Sequence, residues 1–171
     1  MKKIYEQIGA TQFGQICQDL ITLSFCELGC KPRNIEINNV EGVDIIINDP
    51  DFGKYAVEVK TTLGNFIQVG RKDYNGLTKY SENNYHSLLA VLKLDLYGEW
   101  IFYDAKKLKG PGTISVKIIY TPDNLKELSK KINEKFEDIV NEHNKKIFEN
   151  KQRYTQELLR QKGIKYTGNN D

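Results

Sequence analysis

Two runs rich in β-branched residues, GVDIIIND over 42–49 and KYAVEVKTT over 54–62, are separated by the turn Asp49-Pro50-Asp51-Phe52-Gly53. Proline, aspartate and glycine in so short a stretch are turn chemistry, because they favour bend dihedrals and cannot extend a strand. The flanking runs predict strands, so this part of the chain predicts a β-hairpin. A hairpin is not stable alone, and the remaining residues must supply a sheet and covering helices.

They have the patterns to do so. From Tyr5 to Gly29 the residues Ile8, Phe13, Ile16, Leu20, Leu23 and Leu28 recur at helical spacing, with Gly29 placed to end the helix. RNIEINNV precedes the hairpin as a further extended stretch, and FIQVG follows it as a short strand. Tyr74, Leu77 and Tyr80 predict a helix over RKDYNGLTKYSENN despite Gly76. HSLLAVLKL and EWIFYD predict two more strands turning at Leu96-Tyr97-Gly98, and TISVKIIY predicts an edge strand. The expected class is α/β, a mixed β-sheet flanked by helices.

Beyond Pro122 the residues Leu125, Leu128, Ile132, Phe136, Ile139, His143, Ile147 and Tyr154 form a helical stripe with one seven-residue step. Lysines and glutamates fill the gaps and nearly cancel, which describes a solvated face. The expected organisation is an α/β domain over 1–121, a helical extension over 122–165 packed on the domain or on a second subunit, and a flexible tail over 166–171.

Composition limits the function classes. Of 171 residues, 39% are hydrophobic and 28% charged, as in globular domains. No signal peptide or membrane-spanning run is legible, and a cytoplasmic location is expected. Cys17, Cys26 and Cys30 lack the spacing and the histidine partners of a zinc site, since His86 and His143 are distant. They read as reduced, partly buried thiols on a helix. A net charge of +2 excludes nucleic-acid binding by overall charge, so any DNA contact needs a local patch.

The hairpin carries the chemistry. Alternation along a strand puts Glu58 and Lys60 on one face and Val57 and Val59 on the other. On the preceding strand Asp44 is on the face opposite Val43, Ile45 and Ile47. With Asp44 across from Glu58, the two Cβ atoms stand about 5 Å apart. Opposed carboxylates on an apolar sheet repel and lose hydration unless a cation joins them. A hard, oxygen-ligated Mg²⁺, or Mn²⁺, meets that need, with the Val59 carbonyl as a further oxygen. Lys60 is placed to orient or deprotonate a water, and the set suits phosphodiester hydrolysis.

Glu-x-Lys alone is a weak signal. Glu149-Asn150-Lys151 repeats it on an expected helix, where residues two apart do not face each other. A surface salt bridge is the plain alternative for Glu58 and Lys60, but these charges interrupt strands that otherwise read as buried.

Asp44 followed by Glu58-Val59-Lys60 resembles the PD-(D/E)xK nuclease superfamily, and the element order over about residues 5 to 110 resembles its archaeal Holliday-junction resolvase branch. The matching pieces are GATQFGQICQDL, VEGVDIII, YAVEVKTT, FIQVGRKDYNGLTKY and LLAVLKLDLYGEW. The resemblance implies a restriction-endonuclease-like fold and a metal-dependent endonuclease acting on DNA, often as a homodimer, with branched DNA the favoured substrate. A sequence-specific restriction-type enzyme is the near alternative, and a catalytically inactive DNA-binding or assembly module a more distant one. Resolvases of this kind carry a glutamate on the first helix; the matching position here is Gln15, with Gln18, Asp19 and Glu6 nearby. Glutamine offers a carbonyl oxygen but no charge.

Thr61, Arg71 and Lys72 are the expected phosphate contacts at the mouth of the site. Trp100 and Tyr103 read as core or dimer contacts, His86 as structural, and His143 as packing in the long stripe. The stripe and the Trp100 strand are the two candidate dimer surfaces.

Overall fold

The turn at Asp49 organises three consecutive antiparallel strands. In the computed structural model, which describes residues 1–38, 42–94, 98–164 and 166–167, these are β1 (Ile35–Asn38), β2 (Ile45–Asp49) and β3 (Gly53–Thr62). The Asp49 carboxylate accepts from Asn34 Nδ2 at 2.8 Å and from the backbone N–H groups of Lys31, Asp51 and Phe52 at 2.9, 2.9 and 3.1 Å. The Asn34 amide and these N–H groups hold its pKa well below the usual carboxylate range.

Beyond β3 the chain forms β4 (Phe66–Val69), helix α2 (Arg71–Glu82) and β5 (His86–Lys93), which pairs in parallel with β3. Parallel neighbours need a crossover, and this one carries α2 over one face of the sheet. β6 (Trp100–Asp104) lies antiparallel to β5. Of the expected TISVKIIY strand only Thr113–Ser115 pairs as a strand, within β7 (Gly112–Ser115); Val116–Ile118 tightens into a 3₁₀ turn capped by the Ser115 side chain. β7 pairs with β4 in a separate two-stranded sheet. Of the expected turn, Leu96 and Tyr97 lie outside the described residues.

Tyr166 and Thr167, expected in the tail, form β8 and pair in parallel with β1; residues 168–171 of that tail lie outside the described residues. The sheet order is β6-β5-β3-β2-β1-β8.

Strand alternation sorts the core into two faces. Ile45, Ile47, Val57, Leu88, Ala90, Leu92 and Phe102 meet the N-terminal helix α1 (Lys2–Glu27) on one side. Leu89 and Val91 face the other side, where Ile67 and Val69 of β4 and Val116 and Ile119 pack on them. Ala56 and Leu77 join there under α2.

α1 breaks at Gly9 (φ 77°, ψ 173°) and is buried on all sides from Ile16 to Phe25, more than the single apolar face its spacing predicts. Its outer side is covered by α3 (Lys126–Asn150) and α4 (Gln152–Lys162), which bring Ile132, Phe136, Ile139, Ile147 and Leu159 into the same core. The seven-residue step in the stripe is where the helices part, at Lys151 with φ 56°. The stripe is therefore consumed within the chain rather than left as a dimer surface. Trp100, the other candidate, is 1% exposed and meets Phe136 edge-on at 5.5 Å. Cys17 and Cys26 lie on α1, while Cys30 lies just beyond it, and all three are free thiols.

The C-terminal elements are tied to α1 by one buried acid. Asp19 accepts hydrogen bonds from the hydroxyls of Thr155 on α4 and Tyr166 on β8. Burial raises its pKa to about 7, against the pull of those two donors. Below pH 3.8 it is protonated in both folded and unfolded chains; between there and about 7 only the unfolded chain ionises. Stability therefore falls as pH rises across that window, by up to about 1.4 kcal/mol per unit. Urea unfolding at several pH values should show this slope in the parent chain and a flatter one in Asp19→Asn, which stays neutral throughout.

Candidate active site

The β2–β3 register fixes the site. Ile45 pairs with Val57, so one step further Asp44 stands opposite Glu58. Asp44 precedes β2 rather than lying within it, and its carbonyl continues the β1 ladder by accepting from the Asn38 N–H at 2.9 Å. Its carboxylate accepts the Val59 N–H at 2.7 Å, which aims the side chain at β3. Glu58 is 4% exposed in the middle of the sheet, between β2 and β5 and on the side covered by α2. Lys60, two residues along the same face, places Nζ 2.5 Å from Glu58 Oε1.

A third acid, not anticipated from the sequence, completes the set. Asp73 Oδ2 lies 2.8 Å from Lys60 Nζ and also accepts the Gly70 N–H at 2.9 Å, at the first turn of α2. Its signal was present: an acid at the third helical position caps the helix start and favours the positive end of its dipole. What spacing does not show is that the crossover lowers this turn onto Lys60.

Electrostatics follow from burial. Desolvation raises the pKa of Glu58, the nearby Asp44 raises it further, and Lys60 opposes both. Asp44 is raised by desolvation too, against the Val59 N–H and Lys60. Burial works against the Lys60 ammonium, yet Glu58 and Asp73 hold its pKa above the ordinary lysine value. Asp73 shifts down despite its partial burial, mainly through its hydrogen bond to Lys60. The cluster is three acids around one fixed cation.

The first helix contributes through Gln18. Gln18 Nε2 donates to the Asp44 carbonyl at 3.3 Å, whereas Gln15 is exposed on α1. Of the expected phosphate contacts, Arg71 and Lys72 are exposed at the start of α2, next to Asp73. Thr61 is turned by strand alternation to the other sheet face from Glu58 and Lys60. No group of three or more Asp, Glu, His or Cys side chains able to hold a metal occurs among the described residues. A metal between Asp44 and Glu58 would rely on two carboxylates, with main-chain or solvent oxygens completing its shell. Two opposed acids whose protonation is favoured by desolvation, and at Glu58 also by the nearby Asp44, do fit a divalent cation, which would take over the part Lys60 now plays at Glu58.

α2 is held down by an unusually close backbone approach. A Cβ on Gly76 would fall 2.5 Å from both Cα and the carbonyl carbon of Gly42, two residues before Asp44. That contact explains a glycine in the middle of a helix.

No family model and no curated protein matches this chain. Among solved structures it is similar to Hjc, a Holliday junction resolvase from the archaeal hyperthermophile Archaeoglobus fulgidus, at 15% identity and a TM-score of 0.38. That similarity covers 47% of this chain and 68% of the resolvase.

Two alanine substitutions should separate in sign. Gly76→Ala has no room and should cost about 1–3 kcal/mol while displacing the segment that carries Asp44. Gly14→Ala, on α1 with nothing within 4 Å of its Cβ, should stabilise by about 0.5–1 kcal/mol. Thermal unfolding of both variants measures the contrast.

Proposed function

We propose that this chain is a metal-dependent endodeoxyribonuclease, with branched DNA as its favoured substrate. The observation that carries the reading is Glu58, buried at 4% exposure in the middle of the sheet, facing Asp44 and held by Lys60. In this reading Asp44, Glu58 and the Val59 carbonyl hold Mg²⁺ or Mn²⁺, which supplies Lewis-acid polarisation of a phosphate and offsets charge developing in the transition state.

The chain's own groups do the rest. Lys60 is fixed by Asp73 as well as Glu58, so it would keep a partner if Glu58 held a metal. Its ammonium would then be placed to orient a water or to hand over a proton. Gln18 and the Val59 N–H fix Asp44 from opposite ends. Arg71 and Lys72 sit at the start of the helix that carries Asp73, where their charges would meet phosphates.

Cutting two related strands of a junction takes two such sites, so the functional unit in this reading is a homodimer. Its interface lies outside the long stripe and Trp100, since both are used within the chain.

Incubation with linear, flap and four-way DNA should give cleavage that requires Mg²⁺ or Mn²⁺, strongest on the four-way substrate. Glu58→Ala should lower the rate on the order of a hundredfold or more. Asp73→Asn keeps an oxygen to cap Gly70 but removes the negative charge that faces Lys60; it should lower kcat while leaving the melting temperature near the parent's. Absence of metal-dependent cleavage on every substrate refutes the enzyme reading, and discrete fragments from linear DNA would move it to a restriction-type enzyme.

A further inference from the structure

We infer that the surface built by β4, β7 and the segment between Asp104 and Asp123 is where the phosphodiester backbone of DNA lies as it enters the site. The inference rests on the nuclease reading for its ligand and adds a location that Arg71 and Lys72 do not provide.

Between Asp104 and Asp123 the chain has four lysines, Lys106, Lys107, Lys109 and Lys117, and no acidic residue. All four are exposed. On α3 the lysines are neutralised by neighbours, as in Lys126–Asp123, Lys131–Glu127 and Lys135–Asp138. Lys106, Lys109 and Lys117, by contrast, join no ion pair among the described residues. In a chain of net charge +2, this stretch thus carries a local excess of four positive charges with no acid inside it.

Exposed rings and apolar side chains interleave with these lysines. Phe66 is 60% exposed, Ile118 64% and Tyr120 57%. Lys107 lies over the Tyr120 ring at 4.7 Å and donates to its hydroxyl at 3.1 Å. Phe66 pairs with Ser115 across the small sheet, and the Val116 N–H bonds to the Asn65 carbonyl, so the parts form one surface. Cations with adjoining aromatic faces suit a phosphate backbone with unstacked bases, as near a branch point.

Position ties the surface to the chemistry. The small sheet packs on Leu89 and Val91, and these are the β5 partners of Glu58 and Lys60. The patch and the site therefore share one face of the central sheet, side by side. From Val69 the chain needs only Gly70 to reach Arg71 and α2, so a backbone lying on the patch continues toward Lys60.

The test measures binding apart from cleavage. A labelled four-way junction and a labelled duplex are titrated in EDTA at several salt concentrations, using the full chain, a Lys106→Ser/Lys107→Ser/Lys117→Ser variant, and a Lys126→Ser/Lys131→Ser/Lys135→Ser control on α3. Exposed sites make all three foldable, which circular dichroism confirms. The patch variant should lose affinity by on the order of tenfold or more, and its log Kd against log salt slope should fall by roughly one per lysine lost; the control should match the parent. Equal affinity of patch variant and parent, or equal loss in the control, overturns the inference, as does failure of the parent to bind any DNA at low salt. Loss of self-association in the patch variant with DNA affinity unchanged also overturns it, assigning the surface to a second copy. Cleavage assays judge the nuclease reading separately, because DNA bound through the patch without metal-dependent cutting would remove the enzyme and leave the interface.

Discussion

A carboxylate in the middle of a sheet must be matched by a cation, and Glu58 is that carboxylate. Its burial is dictated by register: β2 flanks it on one side, β5 on the other, and α2 covers the face it points to. The neighbouring positions on that face are Leu89 and Val91, so apolar residues pack there without difficulty. Replacing a buried ionic set with apolar groups of similar volume is often neutral or stabilising. Holding Asp44, Glu58, Lys60 and Asp73 in one place is therefore poorly explained by stability. It is well explained by a task that needs concentrated negative charge and an adjacent amine, as phosphate chemistry on a metal does.

The rest of the fold can be understood as what keeps those four side chains from relaxing apart. They come from three segments, the residue just before β2, the middle of β3 and the first turn of α2, and the two flanking segments are each pinned by contacts that tolerate little change. Asp44 is fixed at its carboxylate by β3 and at its carbonyl by α1 through Gln18. Asp73 is fixed because α2 sits directly on the Gly42 backbone through Gly76. α1 in turn is surrounded by the sheet and by α3 and α4, with Asp19 joined to Thr155 and Tyr166. The C-terminal helices thus brace the helix that braces Asp44, and the chain from 122 onward is part of the support of the site.

The hairpin and its three chemical residues were legible because local rules determine them. A turn signal, strand alternation and a register set by turn length suffice to oppose Asp44 and Glu58. What escaped depends on how separate elements meet. Asp73 looks like an ordinary helix cap, and only the crossover reveals that it also faces Lys60. Gln15 and Gln18 are one turn apart on a helix whose rotation is set by tertiary packing, so sequence offered both and the structure brings Gln18 to Asp44. Thr61 was grouped with Lys60 by proximity in sequence, although period-two alternation already separates them. The break at Lys151 had a signal in the seven-residue step of the stripe, but a step of that length also fits two turns of an unbroken helix.

Net charge is the least informative number about this chain, because pairing decides which charges are felt outside it. α3 carries many lysines, yet acids three or four residues away meet most of their fields within a few ångströms, and what remains is screened over about 10 Å at ordinary ionic strength. In the stretch from 105 to 122, Lys106, Lys109 and Lys117 have no acid three or four residues away. A polyanion approaching the molecule would meet that stretch as positive and α3 as nearly neutral, despite their comparable lysine content. The same physics acts inside, where the acids around Lys60 outnumber it and favour a second cation. Local positive charge outside and excess negative charge inside are opposite in sign, and a chain that carries both sums to near zero overall. In the proposed reading the first would hold a phosphate backbone and the second a metal.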